Sequence, residues 1–204
     1  MSKFFDFKEM KNKHNCIFFD LGANIGNITS KVNSISNNIV TYSFEPVIKN
    51  FNILQKKFKN KSNITLENKA VWVKQGIVNF SVGTKNTHTN SKITKIIEDL
   101  NYDKKKYLNS YDVECVDICQ YIKDRITGEE FVVIKMDIEG AEYEVLDHLI
   151  KNSGLDYVNI LLIEFHREPT TGKIKEIICN IKKVNNKIRI YEEYTPGVFK
   201  EVEL

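Results

Sequence analysis

The chain has 204 residues, enough for one domain with a sizeable buried core, and its 30 basic and 27 acidic side chains nearly cancel to a net charge of +3. A balance this close gives no electrostatic case for DNA as a partner. No apolar run reaches the roughly 20 residues of a membrane span, and the charged N-terminus lacks the apolar centre of a secretory signal. We therefore expect a cytoplasmic protein without a membrane partner, with its four cysteines reduced.

Short apolar runs alternate along the chain with stretches of helical periodicity. A buried strand is predicted at 16–21 and a helix at 24–35. The pattern repeats with a strand at 38–45, which Pro46 ends, and an amphipathic helix at 47–60. Further strands are predicted at 63–72, 76–83, 111–117, 130–137 and 158–166, and further helices at 118–126, 141–154 and 172–186.

The end of the chain predicts an antiparallel hairpin, because residues 187–194 and 198–204 flank the turn sequence Thr-Pro-Gly. The strand–helix alternation before it predicts one α/β domain over residues 1–204, with a mostly parallel sheet covered by helices on both faces. Residues 1–15 are predicted to form a short N-terminal segment, and the polar residues 84–110 a substrate lid or an insertion.

Polar side chains stand at the ends of the apolar strands. Ligands of parallel sheets bind beyond the carboxyl ends of the strands, so this edge is where we expect the chemistry. Lys135 lies two residues before Asp137, on the same face of its strand, and is a candidate helper. The side chains at the predicted strand ends are Asp20, Glu45, Asn68, Asp137, Glu164 and His166.

The segment DLGANIG at residues 20–26 has the form of a nucleotide-binding loop but lacks two glycines of the dinucleotide fingerprint, since Asn24 and Asn27 stand in their places. Asp20 would also repel a phosphate. S-adenosylmethionine carries a sulfonium and an ammonium and has no phosphate, so the acid favours it. Backbone N–H groups from Gly22 to Gly26 can then meet the carboxylate of this ligand near the helix N-terminus.

Glu45 ends the second predicted strand. A carboxylate at this point suits two ribose hydroxyls, because each of its oxygens can accept a hydrogen bond. NAD and S-adenosylmethionine both contain such a ribose. Glu45 alone therefore does not separate the two ligands, whereas its combination with Asp20 favours S-adenosylmethionine.

Five segments together resemble the FkbM family of S-adenosylmethionine-dependent methyltransferases. They are FFDLGANIGNIT, FEP, NKAV, IKMDIEGAEYEVL and LIEFH, all within residues 16–166. The segment KMDIEGAE is the most specific, whereas the loop DLGANIG alone indicates only a class I methyltransferase. The resemblance implies a Rossmann-like class I fold with a seven-stranded sheet and a reversed last strand. It also implies O-methylation of a hydroxyl, often on a sugar or a polyketide-like product.

The strand ends and the resemblance together define a candidate site. The residues expected to bind S-adenosylmethionine are Asp20, Gly22, Ala23, Asn24, Gly26, Glu45, Asn68, Ala70 and Asp137. The candidates for catalysis, where a base would take the hydroxyl proton, are Asp137, Glu139, Glu164 and His166. This cluster can also hold Mg²⁺, although no metal is expected. Glu139 and Glu142 also suit the first turn of the helix at 141–154, where acids stabilise the helix dipole.

The acceptor is expected to be a hydroxyl of a glycan or a small glycoside. RNA ribose 2′-O-methylation is one alternative, which the near-neutral charge weakens. An NAD-dependent oxidoreductase is a second alternative, and a non-catalytic binding module that keeps the fold is a third. The 15 residues before Cys16 leave room only for a small N-terminal substrate cover, unless that element belongs to another part of a longer multidomain polypeptide.

Overall fold

The computed structural model of the chain describes residues 3–82, 91–93, 110–166 and 170–202. The described strands are β1 (Cys16–Leu21), β2 (Val40–Phe44), β3 (Ile64–Glu67), β4 (Ala70–Trp72), β5 (Gly76–Val82), β6 (Ser91–Ile93), β7 (Ser110–Asp117), β8 (Phe131–Met136), β9 (Val158–Ile163), β10 (Arg189–Thr195) and β11 (Val198–Glu201). A seven-stranded sheet has the order β3-β2-β1-β8-β9-β10-β11. Its neighbouring strands are parallel except for the antiparallel pair β10–β11, so the predicted terminal hairpin is confirmed.

Helices cover both faces of this sheet, as predicted. They are α1 (Asn27–Ile35), α2 (Ile48–Phe58), α3 (Ile118–Lys123), α4 (Glu142–Lys151) and α5 (Lys173–Val184). Alternate side chains of β1 point to opposite faces. Phe18 belongs to the same apolar cluster as Val32 of α1. Phe19 belongs to another cluster, with Ile118 of α3 and Leu146 of α4. The predicted α/β class is therefore confirmed, with the strands buried between two helical layers.

A second sheet was not predicted. It has four strands in the order β4-β7-β5-β6. The stretch 63–72, predicted as one strand with its exit loop, is divided at Asn68 and Lys69, so that β3 and β4 belong to different sheets. Of the predicted lid at 84–110, residues 91–93 form β6, and Ser110 begins β7. The rest of that prediction lies outside the described residues.

The N-terminal segment packs against the terminal hairpin. A 3-10 helix spans Phe7–Asn12 and buries Phe7 and Met10. Just before it, Phe5 N donates to Phe199 O of β11 at 2.8 Å.

All four cysteines are free thiols. Among the described helices, none combines the length and the apolar character needed to cross a membrane.

Candidate active site

Backbone hydrogen bonds hold the carboxyl ends of neighbouring strands together. The N–H groups of Glu45, Asp137 and Glu164 donate to carbonyls at the ends of β3, β1 and β8, at 3.0, 3.1 and 2.9 Å. The ladder thus continues one residue beyond each strand. Three side chains that are far apart in the sequence are therefore fixed along one edge of the sheet, where parallel sheets bind their ligands.

Two adjoining cavities open on this edge. The first, here called the central cavity, encloses about 530 Å³ of empty space when the part open to solvent is included. Its lining includes Gly22, Asn24, Glu45, Ala70, Asp137 and Glu139. The second, here called the hairpin groove, has a lining that includes Gly22, Asn24, Asp137, Glu164, Glu193 and Tyr194. Because Gly22, Asn24 and Asp137 belong to both, a ligand in one cavity would lie beside a ligand in the other.

Glu45 presents its carboxylate to the central cavity in an orientation set by the backbone. Its Oε2 accepts from Asn24 N and its Oε1 from Val47 N, both at 2.8 Å. Each oxygen keeps further acceptor capacity, which suits a pair of ribose hydroxyls. Burial raises the pKa of Glu45 to about 7. Asn68 stabilises the backbone at Glu45 and Pro46, because its side-chain amide donates to Glu45 O at 2.8 Å and to Pro46 O at 3.1 Å.

The two glycines of the loop after β1 have different roles. Gly22 has φ +82°, and a Cβ there would lie 1.8 Å from Asp137 O, so the loop and the end of β8 touch through their backbones. At Gly26, with φ +79°, a Cβ would lie 2.6 Å from Leu54 and 2.7 Å from Phe58 of α2. Gly26 is therefore a packing position between α1 and α2 and lines neither cavity. Its predicted contact with the cofactor stays a prediction.

Asp20 likewise belongs to the lining of neither cavity. Its carboxylate is 0% exposed, so in this arrangement it cannot contact a ligand. Oδ2 accepts from Thr29 Oγ1 at 2.6 Å, and Oδ1 lies 3.7 Å from Lys135 Nζ. Lys135 Nζ in turn donates to Gly22 O and to Asp137 Oδ2, both at 2.9 Å. The acid is the buried counter-ion of a lysine that holds the loop after β1 against the end of β8.

Six of the residues predicted to bind the cofactor line at least one of the two cavities. Gly22, Asn24, Glu45, Ala70 and Asp137 line the central cavity. Ala23 lines the hairpin groove instead. Its backbone N–H donates to Phe44 O at 2.8 Å. The N–H groups of Gly22, Asn24 and Gly26 likewise donate to Phe44 O, Glu45 Oε2 and Ala23 O. These four N–H groups are used inside the fold, so the carboxylate of the ligand would have to be met by other groups.

His166 lies among four carboxylates. Its Nδ1 is 3.0 Å from Glu142 Oε1. Its Nε2 is 3.5 Å from Glu164, 3.6 Å from Glu139 and 4.0 Å from Asp137. The hydrogen bond to Glu142 raises the pKa of His166 to about 9, against the opposing effect of burial. The ring is therefore an imidazolium at neutral pH, and in this state it cannot serve as the base for which it was a candidate.

Glu142 is the site residue whose role sequence analysis missed. It suits the first turn of α4, yet its carboxylate is 0% exposed and points back toward the end of β8. Its Oε1 accepts from Ile138 N at 3.0 Å, and its Oε2 accepts from Gly140 N at 3.0 Å. Glu142 thus holds the turn between β8 and α4 while orienting His166. The only sequence signal was its place in the segment DIEGAE.

The contribution of His166 to stability should fall as the pH rises. Its folded-state pKa of about 9 exceeds the value of about 6.5 for a free histidine, so the folded chain binds the extra proton between these values. The stabilisation is complete below pH about 6.5 and is lost as the pH rises through about 9. We expect the difference in unfolding free energy between wild type and His166→Gln, measured in urea, to be larger at pH about 6 than at pH about 10. A difference that does not change with pH would contradict this account, and His14→Gln at an exposed histidine is the control.

Two further carboxyl groups of the site hold protons more strongly than usual. Burial, and then a hydrogen bond with Glu193, raise the pKa of Glu164 to about 8. Burial raises the pKa of Glu139 to about 7. Protons therefore neutralise part of the negative charge that would otherwise collect at this edge of the sheet.

One subset of these residues could hold a divalent metal ion. Asp137, Glu164 and His166 each offer one ligand atom, and these atoms lie within 4.8 Å of one another. Carboxylate and imidazole ligands suit Mn²⁺, and carboxylates suit Mg²⁺. An ion with bonds of about 2.1 Å would draw these groups closer together. The expectation that the protein uses no metal stays a prediction.

The fold is a Rossmann-like α/β fold, and two adjoining cavities lie at the carboxyl edge of its sheet. The model of the FkbM methyltransferase domain matches residues 20–189. The chain therefore belongs to the FkbM methyltransferase family. This membership confirms the resemblance seen in the sequence and implies, in general, the use of S-adenosylmethionine as methyl donor.

The similarity to solved structures is lower. One from Clostridium thermocellum, provisionally described as an rRNA methylase, is similar over 97% of this chain and 93% of that chain, with 12% identity and a TM-score of 0.45. This likeness carries no argument about the acceptor. No curated protein matches the sequence.

Proposed function

We propose that the protein transfers a methyl group from S-adenosylmethionine to a hydroxyl of a sugar, in a glycan or a small glycoside. The observation that supports this most directly is the position of Asp137, which borders both the central cavity and the hairpin groove. A group at this junction can act on two bound molecules at once. In our proposal the methyl donor occupies the central cavity and the sugar the hairpin groove.

The central cavity fits the donor. Glu45 offers two oriented carboxylate oxygens for the ribose hydroxyls, and Ala70 lies in the same wall. The carboxyl groups of Glu45, Asp137 and Glu139 outnumber Lys69 in this lining and favour a ligand with positive charges, because they would repel the phosphates of a dinucleotide. The predicted preference for S-adenosylmethionine therefore stands on these cavity carboxylates, whereas the buried Asp20 acts only through Lys135.

The chemistry divides between the donor and the chain. The donor supplies an electrophilic methyl group on its sulfonium. Asp137 Oδ1 can accept the hydrogen of the acceptor hydroxyl and take its proton as the new C–O bond forms, while Oδ2 stays bonded to Lys135 at 2.9 Å. Lys135 also binds Gly22 O, so the base and the loop that both cavities share are held by one ammonium group. Such positioning can supply much of the rate acceleration in a reaction between two bound molecules.

The hairpin groove suits a neutral acceptor rich in hydroxyl groups. Among its described residues are the carboxyl groups of Asp137, Glu164 and Glu193, which accept hydrogen bonds from hydroxyls. Glu164, with its pKa of about 8, is mostly protonated at neutral pH, but the remaining negative charge of this lining still opposes the phosphates of RNA, whose binding depends on neutralising negative charge. We therefore favour a sugar over RNA ribose as the acceptor.

The donor site is tested by Glu45→Gln. This change keeps the size of the side chain but replaces one of its two acceptor oxygens by an NH₂ group. Asn24 N and Val47 N each donate to one of these oxygens, so one of the two donors would lose its acceptor. We expect S-adenosylhomocysteine to bind about 10- to 100-fold more weakly in a calorimetric titration. The wild-type affinity should also rise with pH through about 7, since the ionised carboxylate accepts the ribose hydroxyls, and the variant should lose part of this rise.

The control is Glu144→Gln, at an exposed position of α4, which should bind like wild type. NADH should not bind to any of the proteins. Transfer of tritiated methyl from S-adenosylmethionine to a panel of methyl glycosides then tests the acceptor class. Binding of NADH instead of S-adenosylhomocysteine would refute the proposal, and binding without transfer to any acceptor would support the non-catalytic module.

A further inference from the structure

Helix α2 contributes one polar side chain to the central cavity. Among the residues of α2, all of which the structure describes, only Asn50 belongs to the lining. It lies in the first turn between Lys49, which is exposed, and Phe51, which is buried. The side-chain amide of Asn50 hydrogen-bonds to the carboxylate of Glu45, which lines the same cavity. The amide itself, and not a stretch of backbone, therefore lies at the cavity wall.

The carboxylate of Glu45 thus has three hydrogen-bond donors. Two of them are the backbone groups Asn24 N and Val47 N, and the third is the amide of Asn50. Because an ionised carboxylate can only accept, it is the Nδ2 group of Asn50 that donates. Each donor stabilises the charged form of the carboxyl group. Of the three, Asn50 is the one that a substitution can remove without changing the backbone.

The charge of Glu45 depends closely on these donors. Burial raises its pKa to about 7, and the three hydrogen bonds and the charge of Lys135 oppose this rise. A carboxyl group with such a pKa is about half ionised at neutral pH, so the loss of one donor changes its charge, whereas an ordinary glutamate stays ionised. The other charged residues of the cavity lining are Lys69, Asp137 and Glu139.

We propose that Asn50 is a positioning residue of the donor site, which keeps the buried carboxylate of Glu45 ionised and directed at the ribose of S-adenosylmethionine. This inference rests on the proposed function and adds to it a residue that acts on the donor through Glu45. The charged form is the one that matters, because hydroxyl groups donate stronger hydrogen bonds to a carboxylate than to a neutral carboxyl group.

The test is calorimetric titration with S-adenosylhomocysteine across the range from pH about 6 to pH about 9, on wild type and Asn50→Ala. Without its third donor, Glu45 should ionise about one pH unit higher, so the rise of affinity with pH should move upward by about that amount. The affinity of Asn50→Ala should therefore be about fivefold below wild type at pH about 7 and should agree with it at pH about 9. The control is Asn52→Ala, which removes the same amide from an exposed position of α2 and should bind like wild type throughout.

The double variant Glu45→Gln/Asn50→Ala tests whether Asn50 acts through Glu45. In the Glu45→Gln background there is no carboxylate to keep ionised, so Asn50→Ala should cause no further loss of affinity. A further loss in this background, or a loss from Asn50→Ala that is equal at every pH, would refute the positioning role and leave the proposed function standing. Binding of Asn50→Ala like wild type at neutral pH would do the same. If wild type itself does not bind S-adenosylhomocysteine, the proposed function fails at its donor site, and this inference fails with it.

Discussion

Replacing Asp137 by asparagine should lower kcat by about 10²- to 10⁴-fold, the usual contribution of a positioned base. The side chain borders both cavities, and its Oδ2 is held by Lys135 at 2.9 Å. Asparagine can keep that hydrogen bond through its amide oxygen, so the loop should retain its position, but it has no carboxylate to take the hydroxyl proton. The measurement is the rate of tritiated methyl transfer to the glycoside acceptor at saturating S-adenosylmethionine.

The matched control is Glu139→Gln, because Glu139 lines the central cavity beside Asp137 and has a similar carboxyl group. We expect its kcat to fall much less than that of Asp137→Asn. A variant Asp137→Asn that lost affinity for S-adenosylhomocysteine but kept kcat would show that the residue serves the donor only. If EDTA abolished wild-type activity and Mg²⁺ or Mn²⁺ restored it, a metal bound by Asp137, Glu164 and His166 would replace the direct proton transfer.

Much of the fold followed from the sequence because its signals are local. Residues 16–21 of β1 and 132–136 of β8 are buried on both sides, as strands in the middle of a parallel sheet must be. The second sheet was not foreseen, since Asn68 and Lys69 interrupt a run that reads as one strand. Only the pairing of β4 with β7, which is distant in the chain, shows that the interruption changes the sheet.

The position of a side chain in the site could be predicted where it follows directly from the end of its strand. It could not be predicted where it depends on a contact with a residue that is distant in the sequence. Glu45 and Asp137 line the central cavity directly. Asp20 was assigned to the ligand because the sequence does not show that β1 and β8 pair in a register that sets Asp20 beside Lys135.

The pairing of Asp20 with Lys135 is a buried electrostatic unit. Burial raises the pKa of Asp20, with Lys135 and Thr29 acting in the opposite direction. Burial alone would lower the pKa of Lys135, but Asp137 and Asp20 outweigh it and the pKa is raised. Each charge is therefore tolerated because of the others. This dependence connects the stability of the sheet to the geometry of the site.

Replacing Lys135 by methionine should reduce the free energy of unfolding by about 3–5 kcal/mol, the typical cost of removing one partner of a buried ion pair. Asp20, 0% exposed, would lose its counter-ion and would take up a proton in the folded state. A carboxyl group whose folded-state pKa lies above its unfolded value costs more stability as the pH rises. The deficit of Lys135→Met, measured by urea unfolding, should therefore be smaller at pH about 4 than at pH about 8.

The double variant Asp20→Asn/Lys135→Met separates the lost charge pair from lost packing. It removes both buried charges, so it should recover much of the stability that Lys135→Met loses, and its deficit should depend less on pH. Lys56→Met, at an exposed position of α2, should stay within about 0.5 kcal/mol of wild type. A double variant no more stable than Lys135→Met would show that Asp20 is not the group that needs the lysine. Recovery of stability without recovery of methyl transfer is the result we expect, because Asp137 and Gly22 would still lack the ammonium that holds them together.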